Sequence, residues 1–473
     1  MTELDLAGQV VELVRRLGGP GAQAEATVVR SDLALTRFAN SFIHQNVGES
    51  GVSVRLRLHV DGRTAAGGGS LITQDGLRAL VDRTLAAARL GPPDPAWPGL
   101  APSAPTPSAP AFDEATAYAD PDDRAERVRA FVAAAGGLTT AGYCRTAHRS
   151  AAFANSTGHS ASGRTAEAAM DGIARTGGSD GVARRCADRI GDLDGAALGA
   201  RAAAKARAAA DPVELPPGRY EVVLEPAAVA DVLENLAFYG FNGKRYAERQ
   251  SFAEPGVAQF DPAVTLVDDP LRGSGLPFDA EGTPRAAVTL VQAGTTRGVV
   301  HDRRTATEVG ATSTGHAAPG ATTWGPIPHN LCLAAEPGAD ARASVDTPGA
   351  AGAPATAGDL SGAVADVDTA ALLAGVRRGL LVSDLWYTRV LDPKTLVITG
   401  LTRNGVWLVE DGVVTRSVRD LRFTESYPRV LGPGAVLGVG RHAVRLPDRV
   451  DGVWWEAPPL RLASWNFTGG ASG

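Results

Sequence analysis

Residues Val52–Val60, VSVRLRLHV, constrain this chain more than any other stretch. Val52, Val54, Leu56, Leu58 and Val60 alternate with Ser53, Arg55, Arg57 and His59. A period of two places all five apolar side chains on one side of an extended backbone and the polar ones on the other. The segment therefore reads as a half-buried antiparallel strand. Asp61-Gly62 follows at once and supplies a hairpin turn.

Helices flank this strand. In Leu4–Leu17, Val10, Leu13, Val14 and Leu17 fall at i, i+3, i+4 and i+7, and Gly18-Gly19 ends the run. Asp75–Leu90 reads as a second helix through Leu77, Leu80, Val81, Leu85 and Ala88. Residues 91–111 carry prolines from Pro92 to Pro110 and read as a linker, because proline fits neither a helix interior nor a central strand. An internal repeat straddles the linker. Phe38-Ala39-Asn40-Ser41 recurs as Phe153-Ala154-Asn155-Ser156, with His44 and His159 three residues after each copy. A helical pattern precedes both copies (4–17 and 122–135), and an Ala-rich helix over about 195–210 closes the second. This context favours duplication of an α/β unit over chance.

A boundary falls at Asp211–Gly218. Beyond it, Tyr220–Leu224 reads as a strand, Glu225–Tyr239 as a helix, and Val288–Val300 as two short strands around Gly294. In Leu396–Val414, Asn404-Gly405 and Asp411-Gly412 read as two tight turns of a meander. Residues 337–365 are rich in Ala, Gly and Pro, lack aromatics, and read as a flexible insertion. The expected class is α+β: a duplicated α/β domain over 1–212, then a β-rich domain over 213–473. With 56 Gly, 31 Pro and 5% aromatics, the composition suits many turns and short connections.

The net charge of −6 argues against a general nucleic-acid binder. Lys205, Lys244 and Lys394 are the only lysines, a scarcity read as coding bias. Cys144, Cys186 and Cys332 are far apart and form no CxxC, which excludes a cysteine zinc ribbon and suggests a reducing compartment. The start, MTELDL, is acidic where a signal peptide would be basic, and no apolar run approaches ~18 residues, so a soluble, cytoplasmic protein is expected.

Gly177-Gly178-Ser179-Asp180-Gly181 matches GxSxG, but it lacks the strand-then-helix context of a nucleophile elbow and reads as a turn. The glycine-rich run 432–440 reads as a loop, since Leu437 breaks GxGxxG and Pro433 removes an amide. His301, His316 and His329 lie on one loop-rich stretch and could assemble a zinc site, although hydrogen-bonded histidines are the commoner outcome. Glu234 reads by itself as a solvated helix glutamate.

Several stretches together resemble the TldD/PmbA family (TldD/TldE, peptidase U62, once grouped as modulators of DNA gyrase). They are RFANSFIHQNVGESGVSVRLRL, VVLEPAAVADVLENL, PFDAEGTP at 277–284, TSTGH at 312–316, GLLVSDLWYTRVLDPKTLVITGLTRNGVWLVEDGVV and LRFTES. The resemblance implies the same two-part fold, with a barrel-like second domain, and two kinds of subunit. TldD subunits carry HExxxH and a late cysteine as zinc ligands; TldE subunits lack them and pair with TldD. Here Leu233 and Phe238 stand at the histidine positions, Glu234 at the glutamate, and no cysteine follows Cys332. The STGH form with His316 is also like TldE. The resemblance thus implies a TldE-like subunit without a metal of its own, with zinc in a TldD-like partner. Thr314, Gly315, His316 and His301 are placed near a shared substrate chamber that accepts extended peptides. Two rival readings stay open: a stand-alone hydrolase of a small amide or peptide using a relocated metal site, and a non-catalytic binding protein or homodimer.

Overall fold

The computed structural model describes residues 1–108, 112–273, 275–334, 359–450 and 453–471. The first layer is built from α1 (Glu3–Gly18), β1 (Gln23–Ala39), β2 (Phe42–Val60), β3 (Arg63–Gly69) and α2 (Gln74–Leu90). A reciprocal cap starts α1: the Asp5 amide donates to Thr2 Oγ1, and the Thr2 amide donates to the Asp5 carboxylate. After the short α3 (Glu114–Ala117), the same order returns as α4 (Pro121–Ala134), β4 (Thr139–Asn155), β5 (Ser160–Arg175), β6 (Asp180–Ala187) and α5 (Gly195–Ala208). Asp120 and Asp123 cap α4 in the same reciprocal way, with Pro121 in the first turn.

The six strands make one antiparallel sheet, ordered β3-β2-β1-β4-β5-β6. β1 lies against β4, and each unit runs outward from that seam. The two Phe-Ala-Asn-Ser copies therefore occupy matching places. Asn40-Ser41 turns β1 into β2 at positive φ, and residues 156–159 turn β4 into β5. The helices cover one face. Ala24, Val28, Leu56 and Leu58 pack with α1 and α2, while Cys144 and Met170 pack with α4 and α5. The other face, which carries Arg57 and Glu25, turns toward the second half of the chain.

That half continues through β7 (Gly218–Leu224), α6 (Pro226–Asn235), α7 (Gly243–Ala247), β8 (Thr265–Asp268), β9 (Val288–Gln292), β10 (Thr295–Thr296) and α8 (Arg303–Val309). Then come β11 (Asn330–Ala334), β12 (Arg378–Asp392), β13 (Val397–Glu410), β14 (Val413–Val418) and β15 (Leu421–Ser426). The last strands are β16 (Val436–Val439), β17 (Val444–Val450), β18 (Val453–Ala457) and β19 (Leu460–Gly470). The order β12-β7-β19-β15-β13, with β13 pairing back to β12, closes a ring, the barrel-like element expected of this fold class. A second sheet runs β10-β9-β8-β11-β18-β17. α6 is sandwiched between them: Val229, Val232, Leu233 and Leu236 share one core with Leu380, Trp455 and Trp465.

Three expectations need correction, and a fourth is reached by the described residues only at its end. Asn404-Gly405 is not a hairpin turn. Both residues take positive φ (62° and 125°) inside a continuous β13, as a kink opposite the irregular register of β12. The dipeptide signals positive φ, which a bulge uses as readily as a turn. Only Asp411-Gly412 reverses the chain. The helix expected to Tyr239 is α-helical only to Asn235. It widens into a π turn over Leu236–Gly240, closed by the Phe241 amide on the Leu236 carbonyl at 2.8 Å. The proline-rich segment is docked rather than loose. Trp97 stacks on His59 with centroids 4.9 Å apart, and Asn155 donates to the Ala101 carbonyl. Of the 337–365 stretch, 337–358 lies outside the described residues, while Ser361–Val364 is a helical turn that buries Val364.

Candidate functional site

Leu233, Glu234 and Phe238, the positions that the resemblance sets against a zinc motif, lie on α6 and its π turn. Leu233 is buried in the core, and Glu234 is half-buried. Phe238 packs edge-on against Trp455 with centroids 6.5 Å apart. Neither Leu233 nor Phe238 offers an atom that binds zinc. Burial pushes the Cys332 thiol up to about 12, so it stays protonated on β11. A zinc site of the kind the resemblance gives to TldD subunits does not fit these residues.

The two loop motifs, PFDAEGTP and TSTGH, fold onto each other. Asp279 ties them together: Oδ1 accepts from the Glu281 and Thr283 amides, and Oδ2 from the Ala317 amide, each at 2.9 Å. Burial and the charge of Glu281 raise the Asp279 pKa, against the pull of those amides and Arg285. Gly315 sits at φ 75°, where a Cβ would lie 2.6 Å from the Pro284 carbonyl oxygen. Thr314 Oγ1 accepts from the His301 amide at 2.8 Å. His316 is fully buried, with Nε2 2.7 Å from Asp268 Oδ2, and Asp268 Oδ1 accepts from the Asn330 amide.

The structure brings the three late histidines into one region without making a metal centre of them. The His316 and His329 rings are 6.1 Å apart. His329 Nε2 faces the Arg285 guanidinium at 3.0 Å, and His301 Nδ1 faces Thr305 Oγ1 at 3.2 Å. Among the described residues no three His, Cys, Asp or Glu side chains are grouped to hold a metal ion. Ser179 of the GxSxG match lies in the β5–β6 hairpin turn, and its hydroxyl donates to the Ala206 carbonyl at 2.6 Å. Strand β6, not a helix, follows it in the chain.

The same knot is pressed onto the polar face of the first sheet. His159 Nε2 meets the Gly282 carbonyl at 2.7 Å, and Gly282, at φ 76°, lies against the Phe153 ring. Arg57 Nε donates to Glu25 at 2.7 Å, and its Nη2 pairs with Glu281 at 2.8 Å. Trp97 lies over that guanidinium at 4.9 Å. Beside this triad opens a cleft of ≈ 790 Å³ between β1–β3 and the loops around Glu281, Asp302 and Ala317. Burial pushes Glu25 from 4.5 up to about 7, against the pull of Arg57. Arg304 and Asp94 pair at 2.7 Å at its rim.

Sequence reasoning singled out the TSTGH and PFDAEGTP stretches but assigned no role to Glu25, Arg57, Trp97 or Glu281. One signal was available: Arg55 and Arg57 on the polar side of a strand need a polar neighbour. Which neighbour supplies it is written nowhere near them.

Residues 217–469 match a family described as PmbA/TldA metallopeptidase C-terminal domain. No curated protein matches the chain. Among solved structures, TldE from Thermococcus kodakarensis is 17% identical, with a TM-score of 0.81, covering 98% of this chain and 100% of that one. A protein described as a modulator of a DNA gyrase from Thermotoga maritima is 16% identical, with a TM-score of 0.78, covering 98% and 99%. A modulator of DNA gyrase from Bacteroides thetaiotaomicron is 17% identical, with a TM-score of 0.77, covering 98% of each chain. At these identities the likeness is one of fold. No helix among the described residues is long and apolar enough to cross a membrane.

Proposed function

The chain belongs to the PmbA/TldD metallopeptidase family, and from that premise we propose that it is a TldE-like, metal-free partner subunit of a TldD-like zinc peptidase. The observation that carries this reading is at α6. Leu233 and Phe238, which the resemblance sets at the family's zinc-histidine positions, are both committed to apolar packing. A carboxylate such as Glu234 has no metal-bound water to activate there. The chain keeps the loops that shape the junction, so its role is to complete a chamber around an extended peptide. Such a peptide is recognised through its backbone and a few side chains, which suits a polar cleft walled by a sheet.

The test is co-expression with a TldD-like subunit. A stable complex is expected, with peptidase activity that disappears when this chain is left out. A partner fully active alone would overturn the proposal. Elemental analysis of this chain purified by itself is expected to give far less than one zinc per chain.

A further inference from the structure

Glu25 is only 4% exposed, and just one of its oxygens is satisfied. Arg57 Nε donates to Oε1 at 2.7 Å, whereas Oε2 is buried with no hydrogen-bond partner. An unsatisfied buried polar atom costs about 1–3 kcal/mol, and more if charged. The charges around it do not balance. Glu25 and Glu281 share the single guanidinium of Arg57. The nearby Arg303 guanidinium is held by the carbonyls of Pro98 and Gly99 rather than by a carboxylate. The whole cleft repeats the imbalance, with six carboxylate residues against four cationic ones along its walls.

The floor gives a way in. Glu25, Arg57 and Ala66 lie side by side across β1, β2 and β3, with Thr27, Arg55 and Gly68 as the next row on that face. Gly67 points the other way, since a Cβ there would meet Thr84 of α2 at 2.3 Å. On the cleft side the edge strand thus presents only a methyl group and a hydrogen at Ala66 and Gly68. Two strand spacings, roughly 10 Å, separate Glu25 from that open edge. A peptide main chain lying over those small residues brings a lysine ammonium or a terminal amine within reach of Glu25, and bulky residues there would exclude it.

We propose that this cleft is a subsite for the protonated primary amine of an extended peptide, with Glu25 as its counter-charge. The ammonium enters over β3, donates to Glu25 Oε2, and leaves Arg57 bridging to Glu281. The assignment rests on the peptide-chamber reading above and names one substrate feature that the chamber selects. The amine can be a lysine side chain or the peptide's own N-terminus.

The experiment is calorimetric titration of the full chain, alone, with an unstructured Ala/Gly peptide containing one lysine. Matched peptides have that lysine replaced by norleucine, the N-terminus acetylated, or both. Saturable binding of the parent peptide is expected, weakened at least about tenfold by Glu25→Gln, as befits loss of a charge-assisted hydrogen bond. Gly68→Leu is expected to block entry; its Cβ has only an ordinary contact, 3.7 Å from the Val54 carbonyl oxygen, so folding is spared. Loss with norleucine assigns the side chain, and loss on acetylation assigns the N-terminus. Equal affinity for the peptide lacking both amines, unchanged affinity in Glu25→Gln, or no binding at all overturns the subsite; a proton on Glu25 then answers the charge. Because the titration needs no partner, its outcome is independent of the complex. Peptide binding without a complex removes the partner reading alone, and an active complex whose chain ignores amines removes the subsite alone.

Discussion

His316 and Asp268 illustrate how much this protein stakes on single buried polar pairs. Both side chains are fully buried, and their 2.7 Å contact is continued by the Asn330 amide on the other Asp268 oxygen. Removing one partner strands the other away from water, which typically costs 3–5 kcal/mol. His316→Ala is expected to lower stability by about 3 kcal/mol in urea unfolding. A histidine that only touched substrate would leave the unfolding midpoint unchanged. Glu25 predicts a pH effect. Its folded pKa is raised from 4.5 up to about 7, so between these values the folded chain holds a proton that the unfolded chain has released. Its contribution to stability is therefore full below about pH 4.5 and declines as pH rises toward 7. The upper bound on that decline is about 3 kcal/mol. Glu25→Gln should flatten the melting temperature between pH 5 and 7.5 (a range chosen around about 7), and an unchanged slope would place the titration elsewhere.

At the scale of elements, the loop 277–285 is one of the pieces that join the two halves. Its tight path depends on Gly282, whose positive φ and approach to the Phe153 ring leave no room for a side chain; a Cβ would come within 2.2 Å. Gly282→Ala is expected to cost about 1–3 kcal/mol through strain and overpacking. Hydrogen exchange should then rise in this loop and at the β4–β5 turn. Exchange unchanged at that turn would mean that the loop yields without disturbing the sheet. The π turn after α6 belongs to the same scale. Apolar periodicity in Glu225–Tyr239 signals a helix, and a helix buried on nearly every side begins there, but periodicity does not encode where hydrogen bonding widens. Position 240, the last of the turn, holds glycine where a Cβ would lie 2.4 Å from the Phe252 ring.

Across the whole molecule, the proline-rich segment acts as a strap. Asp94 is paired with Arg304, Trp97 contacts both His59 and Arg57 and donates to Gln23, and Arg303 holds the Pro98 carbonyl. Trp97→Ala is expected to release it, at a cost of about 1–2 kcal/mol, and to expose it to limited proteolysis. Resistance equal to that of the native chain would show that the proline backbone alone protects it.

Local rules in the sequence reach far into this fold. Alternation in Val52–Val60 marks a strand and assigns its faces, Asp61-Gly62 and Asp411-Gly412 mark true turns, and the repeated Phe-Ala-Asn-Ser marks matching hairpins. Leu233 and Phe238 state their chemistry outright, since an alkyl or phenyl group cannot ligate a metal in any fold. Each of these rests on neighbours a few residues apart, where backbone geometry leaves few choices. The cleft is different in kind. Glu25 and Arg57 come from adjacent strands, Trp97 from the strap and Glu281 from a loop of the other half. Only the folded chain brings these charges together and strips away their water, and that desolvation makes the second oxygen of Glu25 matter. Asn404-Gly405 makes the same point on a smaller scale: positive φ is written in the dipeptide, but β12, running alongside, makes it a bulge instead of a turn.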